Sequence, residues 1–225
     1  DIESSLTQLI QMILNETSFQ RIRLSSIDIN EVDDQLIDLM KNNTRLARHL
    51  HISLQSGDDE VLLAMNRPYT TLIFKERVNA IRQAIPDISI STDVIVGFST
   101  ETQAMFENSV RFIKEIGFSF IHVFPYSVRK FTKAEKLPQL NTEAVKKERV
   151  HVLTELSKSM YETHLKRQIG SKASVLIEGQ DEKGAYGFNS SYDPVRIESE
   201  PILNHAIIDC VIVDADHDTL TGQLP

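Results

Sequence analysis

Three predicted strands of this chain each end in a polar or glycine-containing turn that could bind a ligand. The residues in those turns are Gln55, Ser56, Gly57, Asp93, Gly97 and Tyr126. In a parallel α/β sheet or barrel the carboxyl ends of the strands meet at one edge, and ligands bind there. We therefore expect the three turns to line a single pocket.

The residue types in these turns suit a flat or anionic ligand. Gly57 permits close backbone approach and precedes a predicted helix whose first N–H groups can bind an anion. The alternative is a plain helix start with Asp58 as the N-cap. Gly97 leaves space for a flat ring, and Tyr126 can stack on a base or ribose. Asp93 lies inside an apolar strand, so it needs a partner if it is buried.

Two further residues are weighed by their surroundings. Arg67 ends the helix after the first turn, where its guanidinium could hold a carboxylate through two hydrogen bonds, although a surface arginine is the alternative. His122 has no second ligand at metal-binding spacing, so we interpret it as a packed or hydrogen-bonded strand residue. No Ser-His-Asp arrangement or phosphate-binding glycine loop can be assembled, which disfavours hydrolysis and phosphotransfer. We assign no catalytic and no metal-binding residue.

The order of the elements predicts an α/β fold with a parallel sheet. Strand-like and helix-like segments alternate with short links up to about residue 126, which implies right-handed crossovers with helices outside the sheet. The predicted strands are 21–28, 49–54, 88–96 and 118–126, and the predicted helices are 3–15, 31–42, 58–66, 71–85 and 101–116. An extended polar segment at 127–141 then leads into a basic amphipathic helix at about 142–168.

After Gly170 the pattern changes to short alternating strands separated by Gly, Asn, Asp and Pro. That pattern is typical of a small all-β barrel or sandwich. We therefore predict two domains, 1–170 and 171–225.

Composition is that of an ordinary soluble globular protein, with 41% hydrophobic and 25% charged residues among 225. No apolar run is long enough to span a membrane, and no export signal is evident. The single cysteine, Cys210, lies in an alternating apolar segment, which predicts a small buried residue rather than a reactive thiol. We expect a cytoplasmic location.

Charge is distributed unevenly along the chain. The net charge is −8, but residues 127–172 carry 11 basic and 5 acidic side chains between two acidic regions. This basic block is either a solvated lysine-rich helix or a strip that contacts phosphates. Charge alone favours the first.

Four segments in order resemble the radical S-adenosylmethionine (SAM) methylthiotransferases, which modify tRNA. They are RIRLSSIDINEVDDQLIDL at 21–39, HLHISLQSGDDEVLLAMNR at 49–67, TDVIVGFSTET at 92–102 and HVFPYSVRKFTKAEKLP at 122–138. The first and last look most like the branch that acts on N6-threonylcarbamoyladenosine. Residues 171–225 resemble the TRAM domain, a small RNA-binding β-barrel.

The resemblance implies a partial, open radical SAM β/α barrel followed by a TRAM-like domain. It implies SAM binding at the family's matching positions, which are Gln55, Ser56, Gly57, Arg67, Asp93, Gly97 and Tyr126. The partner implied is tRNA. If RNA is bound, we expect most of the attraction from the basic block and an aromatic tip, namely Arg129, Lys130, Lys133, Lys136 and Phe188.

Two turns depart from the family pattern. Ser99-Thr100 stands where the family has Pro-Gly, and Val128 and Phe131 stand where it has Pro and Gly. These replacements change the permitted backbone angles on the ligand side.

In this family three cysteines of the barrel hold a [4Fe–4S] cluster that reduces SAM, and three more hold a second cluster. This chain has none of the six, so we expect it to be the carboxyl-terminal part of such an enzyme, inactive without its amino-terminal part. Two alternatives stay open. One is a non-catalytic RNA-binding relative that has lost the cluster region, and the other is an α/β enzyme unconnected with SAM.

Overall fold

The computed structural model describes residues 5–198 and 204–225. The first half alternates helices and strands, in the order α1 (Leu6–Glu16), β1 (Ser26–Ile27), α2 (Asp34–Asn42), β2 (His49–Ile52), α3 (Asp59–Ala64), α4 (Thr71–Ala84), β3 (Ser89–Val96), α5 (Gln103–Ile116) and β4 (Phe120–Pro125). A 3-10 turn at Lys133–Lys136 leads to α6 (Glu143–Lys166). This order is the predicted one.

The four strands form one parallel sheet in the order β1-β2-β3-β4. The sheet is open, as predicted, with β1 at one edge and β4 at the other. The strand predicted at 21–28 is reduced to Ser26–Ile27 plus one isolated bridge between Ile22 and Leu46. The reason is a shift of register, because the bridge pairs Ile22 with Leu46 whereas β1 pairs Ser26 with His51, and the ladder is interrupted between them.

The two faces of the sheet differ in character. Helices cover one face, where Leu50, Ile90 and Ile121 join a continuous apolar core. On the other face the alternate positions of the same strands carry polar side chains, such as His51 and Ser91. Strand alternation therefore separates a packing face from a polar face.

Helix α6 runs along the edge strand β4. The Ser157 hydroxyl accepts a hydrogen bond from the Ile121 N–H and donates one to the Ile121 carbonyl, each at 3.0 Å. Because Ser157 satisfies backbone groups that no neighbouring strand pairs, α6 covers this edge of the sheet.

The second half is a closed five-stranded barrel. Its strands are β5 (Lys172–Asp181), β6 (Gly184–Phe188), β7 (Pro194–Ile197), β8 (Ile207–Ala215) and β9 (Leu220–Gln223), in the order β5-β6-β7-β9-β8. Cys210 is buried in its core, where burial raises the pKa of the thiol, so the prediction of a buried residue is confirmed. A side chain at Gly222 would meet the Cys210 sulfur at 2.7 Å, which explains the glycine.

The barrel is bound to the α/β half by specific polar contacts. The Arg21 guanidinium donates to the carbonyls of Ser174 and Phe188. His164 of α6 lies 2.8 Å from the buried Asp193 carboxylate. The predicted boundary at residue 170 falls in the link between α6 and β5. Within 5–198 and 204–225, no helix has the length and apolar character needed to cross a membrane.

Candidate functional site

The three sequence-predicted turns lie side by side at the carboxyl edge of the sheet. The Gln55 N–H donates to the Asp93 carbonyl at 2.9 Å, and the Gln55 carbonyl accepts from the Ile95 N–H at 2.9 Å. The Tyr126 N–H donates to the Val96 carbonyl at 2.8 Å. Gln55 adopts a left-handed φ of 66°, which turns the chain out of β2 without a glycine.

Within the first turn, Ser56 and Gly57 pack against α5. The Gly57 N–H donates to the Ser109 hydroxyl at 3.1 Å, and the Ser56 hydroxyl lies 3.2 Å from the same oxygen. A Cβ on Gly57 would approach the Ser109 Cα to 2.8 Å, so this glycine allows close contact with a helix. Ser56 and Gly57 are buried, whereas Gln55 in the same turn is half-exposed.

Within the second turn, the backbone bends at Gly97, which has a φ of 72°. The aliphatic part of Lys146 lies over this glycine, since a Cβ there would fall 2.5 Å from the Lys146 Cγ. The same lysine places its Nζ 5.9 Å from the centre of the Tyr126 ring and bonds Glu143 at 2.9 Å. The space beside Gly97 is therefore filled by a side chain with an exposed ion-pair partner.

A buried ion pair fixes the shape of the second turn. The Glu101 carboxylate accepts the Gly97 N–H at 2.6 Å and the Arg149 guanidinium at 2.5 Å. The side chain of Asn141 donates to the carbonyls of Phe98 and Glu101 and accepts from Arg149. Burial raises the pKa of Glu101, and the Gly97 N–H and the Arg149 charge oppose that shift. These contacts hold the turn although it has Ser99-Thr100 in place of Pro-Gly.

Asp93 has a partner that the sequence did not reveal. Its carboxylate lies 3.1 Å from His51 Nε2, and the other ring nitrogen of His51 lies 2.9 Å from the Ser91 hydroxyl. The same hydroxyl lies 3.0 Å from His49 Nε2. Strand register brings these four side chains together, because His51 pairs with Ser91 across β2 and β3.

The hydrogen bonds among these four side chains all point from donor to acceptor toward Asp93. Burial and the nearby Arg23 charge lower the pKa of His49 to about 3, so His49 is neutral at pH 7. The Asp93 carboxylate is an acceptor only, so a neutral His51 carries its proton on Nε2 and accepts from Ser91 through Nδ1. His49 Nε2–H then donates to Ser91. The relay His49→Ser91→His51→Asp93 thus ends on the carboxylate at the ligand edge.

These residues line a cavity of about 550 Å³ on the polar face of the sheet. Its far end is formed by the stacked rings of Phe188 and Tyr192, whose centroids are 4.7 Å apart. Arg23 lies 3.7 Å from the centre of the Tyr192 ring. His49 Nδ1 is buried in this wall without a hydrogen-bond partner among the described residues. The cavity therefore joins aromatic surface at one end to a carboxylate at the other.

Other predicted residues lie around this edge. The Tyr69 hydroxyl donates to the carbonyls of Ser53 and Leu54, which places the turn carrying Arg67 beside the end of β2. Tyr126 contacts Phe98, with ring centres 4.8 Å apart. His122 makes ring contacts with Phe120 and His51 and is exposed to the cavity.

The predicted RNA-contacting cations follow β4. Arg129, Lys130, Lys133 and Lys136 are all exposed, and Phe131 among them is 98% exposed. Phe188 instead faces the cavity. Its ring stacks there on that of Tyr192.

The residues of this chain fit an adenosyl ligand better than an iron–sulfur cluster. Of the predicted cofactor residues, Asp93 lines the 550 Å³ cavity, whereas Gln55, Gly97 and Tyr126 lie outside its lining, at the adjoining edge of the sheet, so the turns meet at one edge without lining one pocket. Cluster binding needs several thiolates, and the sequence has one cysteine, which lies inside the barrel. Across the described residues, no group of three His, Cys, Asp or Glu side chains is arranged to hold a metal ion.

Comparison with known proteins agrees with the sequence resemblance. Residues 3–113 match the model of the Radical SAM superfamily. The chain is 39% identical over 204 residues to the threonylcarbamoyladenosine tRNA methylthiotransferase MtaB of Thermotoga maritima, covering 91% of this chain and 46% of that protein. It is 34% identical over 224 residues to the tRNA-2-methylthio-N(6)-dimethylallyladenosine synthase of Xanthomonas euvesicatoria pv. vesicatoria, covering 98% of this chain and 46% of that protein.

The chain spans about half the length of the curated relatives it matches. Among solved structures it is similar to coproporphyrinogen III oxidase (HemN) from Escherichia coli, described as a radical SAM enzyme, with a TM-score of 0.54 and 18% identity. That match covers 68% of this chain and 37% of the other. It indicates a shared fold.

Proposed function

The chain belongs to the radical SAM family of tRNA methylthiotransferases, and from this premise we propose that it serves methylthiolation of N6-threonylcarbamoyladenosine in tRNA. Its part is to bind the adenosyl group of SAM and to position the tRNA. The cluster that reduces SAM would be held by a segment with cysteines that this chain does not contain, namely an amino-terminal part of the same protein. We also propose a cytoplasmic location, where tRNA is found.

The observation that carries the proposal is the meeting of the three turns at one edge of the sheet, beside the cavity that Asp93 lines. Gln55 and Tyr126 are both hydrogen-bonded to β3 there. The adenine of an adenosyl group can stack on the exposed part of Tyr126, and the ribose hydroxyl groups can donate to the Asp93 carboxylate. His51 fixes that carboxylate in one orientation through the relay, so the site is preorganised.

The remaining cofactor assignments have different physical roles. Ser56 and Gly57 hold the first turn against α5, and Gly97 shapes the second turn. Arg67 has no hydrogen-bond or ion-pair partner for its side chain within the described ranges, which leaves its guanidinium for a carboxylate such as that of SAM. We propose that these four residues complete the site.

The threonylcarbamoyl branch is favoured over the dimethylallyl branch by the higher identity to the former relatives, 36–41% against 34%. We propose that the carboxyl-terminal barrel is a TRAM domain, since it is a closed five-stranded barrel in the matching place. Because the barrel is acidic, the tRNA contacts near the modified nucleoside would come from the basic loop after β4.

The test is to inactivate the coding gene in cells that carry it and to analyse digested tRNA by mass spectrometry. We expect 2-methylthio-N6-threonylcarbamoyladenosine to disappear and N6-threonylcarbamoyladenosine to accumulate. A gene copy encoding Asp93→Asn should fail to restore the product. Unchanged amounts of the methylthio nucleoside after inactivation would overturn the proposal.

A second candidate is a non-catalytic RNA-binding relative. The observation in its favour is the filling of the space beside Gly97 by Lys146, together with the altered turns. It predicts tRNA binding without any change in modified nucleosides, so the same mass spectrometry separates the two.

A further inference from the structure

A second, larger cleft lies at the opposite end of the sheet from the ligand turns. It has a volume of about 790 Å³ and separates the amino-terminal edge of the sheet from the barrel. One wall is formed by the ends of α4 and α5, and the other by the end of α6 and the start of β5. No residue of the three ligand turns lines it.

Both walls of this cleft carry positive charge. Arg48, Arg82 and Lys114 lie on the wall of the α/β half, and Arg167 and Lys172 lie on the other. Asp87 is the one acidic residue among the described residues of the lining. A positive cleft is unexpected in a chain of net charge −8, whose barrel region is itself strongly acidic.

Two of these cations have structural roles. Arg48 donates to the Met40 carbonyl at 2.7 Å, and Arg82 donates to the carbonyls of Ile116 and Gly117 at the end of α5. They cap helix ends, where a positive charge is favourable. These helix-capping contacts are enough to explain Arg48 and Arg82 without a bound ligand.

The other three cations make no comparable contacts with carbonyl groups within the described residues. Lys114, Arg167 and Lys172 are exposed, and none has a side-chain hydrogen bond or ion pair with any residue in 5–198 or 204–225. Lys114 lies in the last turn of α5 and Arg167 is the C-cap of α6, both positions that favour a cation, and Lys172 lies on the same wall of the cleft as Arg167. The pKa of Arg82 is lowered by burial first and by the charge of Arg167 second. The lining therefore carries five Lys and Arg side chains against one carboxylate, that of Asp87, among the described residues.

We propose that this cleft binds the phosphate backbone of an RNA, bridging the α/β half and the barrel. The inference rests on the proposed function, which supplies tRNA as the RNA. A small anion would need buried donors to displace its hydration, and these cations are exposed. A polyanion gains from exposed cations because each phosphate contact releases bound counterions.

The position of the cleft suits a contact that orients the RNA without reading the modified base. Helix α6 has 24 residues and reaches from Lys146, beside Gly97, toward Arg167 at the cleft. The stretch from Lys146 to Arg167 rises about 32 Å, at 1.5 Å per residue. Phosphate contacts at that distance from the ligand edge would fix the register of a folded RNA while leaving its target nucleotide free to enter the other site.

The test measures binding of an unmodified tRNA transcript to the 225-residue chain over a range of salt concentrations. The cleft variant is Arg167→Gln with Lys172→Gln, and the matched control is Lys41→Gln with Lys183→Gln. Both remove two exposed positive charges, and neither control residue lines the cleft. We expect the cleft variant to bind tRNA about tenfold more weakly at 0.1 M salt, with a salt slope smaller by about 1.8. The control should stay within about twofold of the parent chain.

Equal losses in the two variants, or an unchanged salt slope in the cleft variant, would overturn the inference. Absence of salt-dependent tRNA binding by the parent chain would overturn it as well. A failure of the proposed function is read separately, from the tRNA nucleosides after gene inactivation. Thermal unfolding of both variants at the parent temperature would show that the loss is one of binding and not of folding.

Discussion

The buried ion pair between Glu101 and Arg149 should be a main stabilising contact of the ligand edge, and replacing Arg149 with leucine tests this. The side chains are 1% and 5% exposed. The substitution removes the Arg149 bonds to the Glu101 carboxylate and to Asn141, and it leaves a buried carboxylate with the Gly97 N–H as its remaining donor. Breaking a buried pair in this way costs about 3–5 kcal/mol of the free energy of unfolding.

The assay is urea unfolding followed by circular dichroism, with the midpoint and slope fitted separately. Arg77→Leu is the matched control, because Arg77 pairs with Asp34, whose side chain is 86% exposed. Exposed pairs contribute about 0.2–1 kcal/mol, so the control should lose far less stability. Adding Glu101→Gln to Arg149→Leu removes the orphaned charge and should recover part of the loss. Equal losses at Arg149 and Arg77, or no recovery in the double variant, would refute the reasoning.

Three other substitutions test the polar face, the second turn and the contact between α6 and β4. His49 has a folded pKa of about 3, below the unfolded value of about 6.5, so its contribution to stability is complete above pH 6.5 and is lost as the pH falls toward 3. We expect the parent to lose about 2 kcal/mol between pH 7.5 and 5 on this account and His49→Gln to lack that loss; identical pH slopes would contradict it. Gly97→Ala should cost about 1–2 kcal/mol for its left-handed φ, plus the steric conflict with Lys146. In a Lys146→Ala background the backbone cost alone should remain, and an unchanged cost there would count against the contact. Ser157→Ala leaves the N–H and carbonyl of Ile121 unpaired and should cost about 1–3 kcal/mol in the same urea assay, whereas a neutral result would mean that water replaces the hydroxyl.

The sequence predicts the order of the elements because their signals are local. Helical spacing of apolar residues predicts a helix at 101–116, and α5 runs over Gln103–Ile116. The common edge of the three turns follows from parallel strands alone. These features need no knowledge of which strands are neighbours.

The relay at Asp93 depends on information that is not local. His49 and His51 alternate on one face of β2, and Ser91 and Asp93 do so on β3, so the sequence does contain a polar face. The pairing of His51 with Ser91 depends on the register between the two strands, which the sequence does not specify. For that reason Asp93 was expected to need a partner without the partner being identified.

Contacts between distant segments explain the other differences. Gly57 meets Ser109 of α5, and Gly97 lies under Lys146 of α6. The sequence predicts room for a ligand at both glycines because it shows that a side chain is missing. It does not show which neighbouring residue fills the space.

The central claim is that the turns containing Gln55, Asp93 and Tyr126 form one adenosyl site. The most direct measurement is titration calorimetry of the chain with S-adenosylhomocysteine, comparing Asp93→Asn with Asp87→Asn. Asp87 is an exposed carboxylate at the opposite end of the sheet, so it controls for the loss of one charge. We predict binding at one site, weakened about tenfold by Asp93→Asn, as expected for the loss of about 1.4 kcal/mol of interaction, and unchanged by Asp87→Asn. No binding by the parent chain, or equal binding by both variants, would contradict the claim.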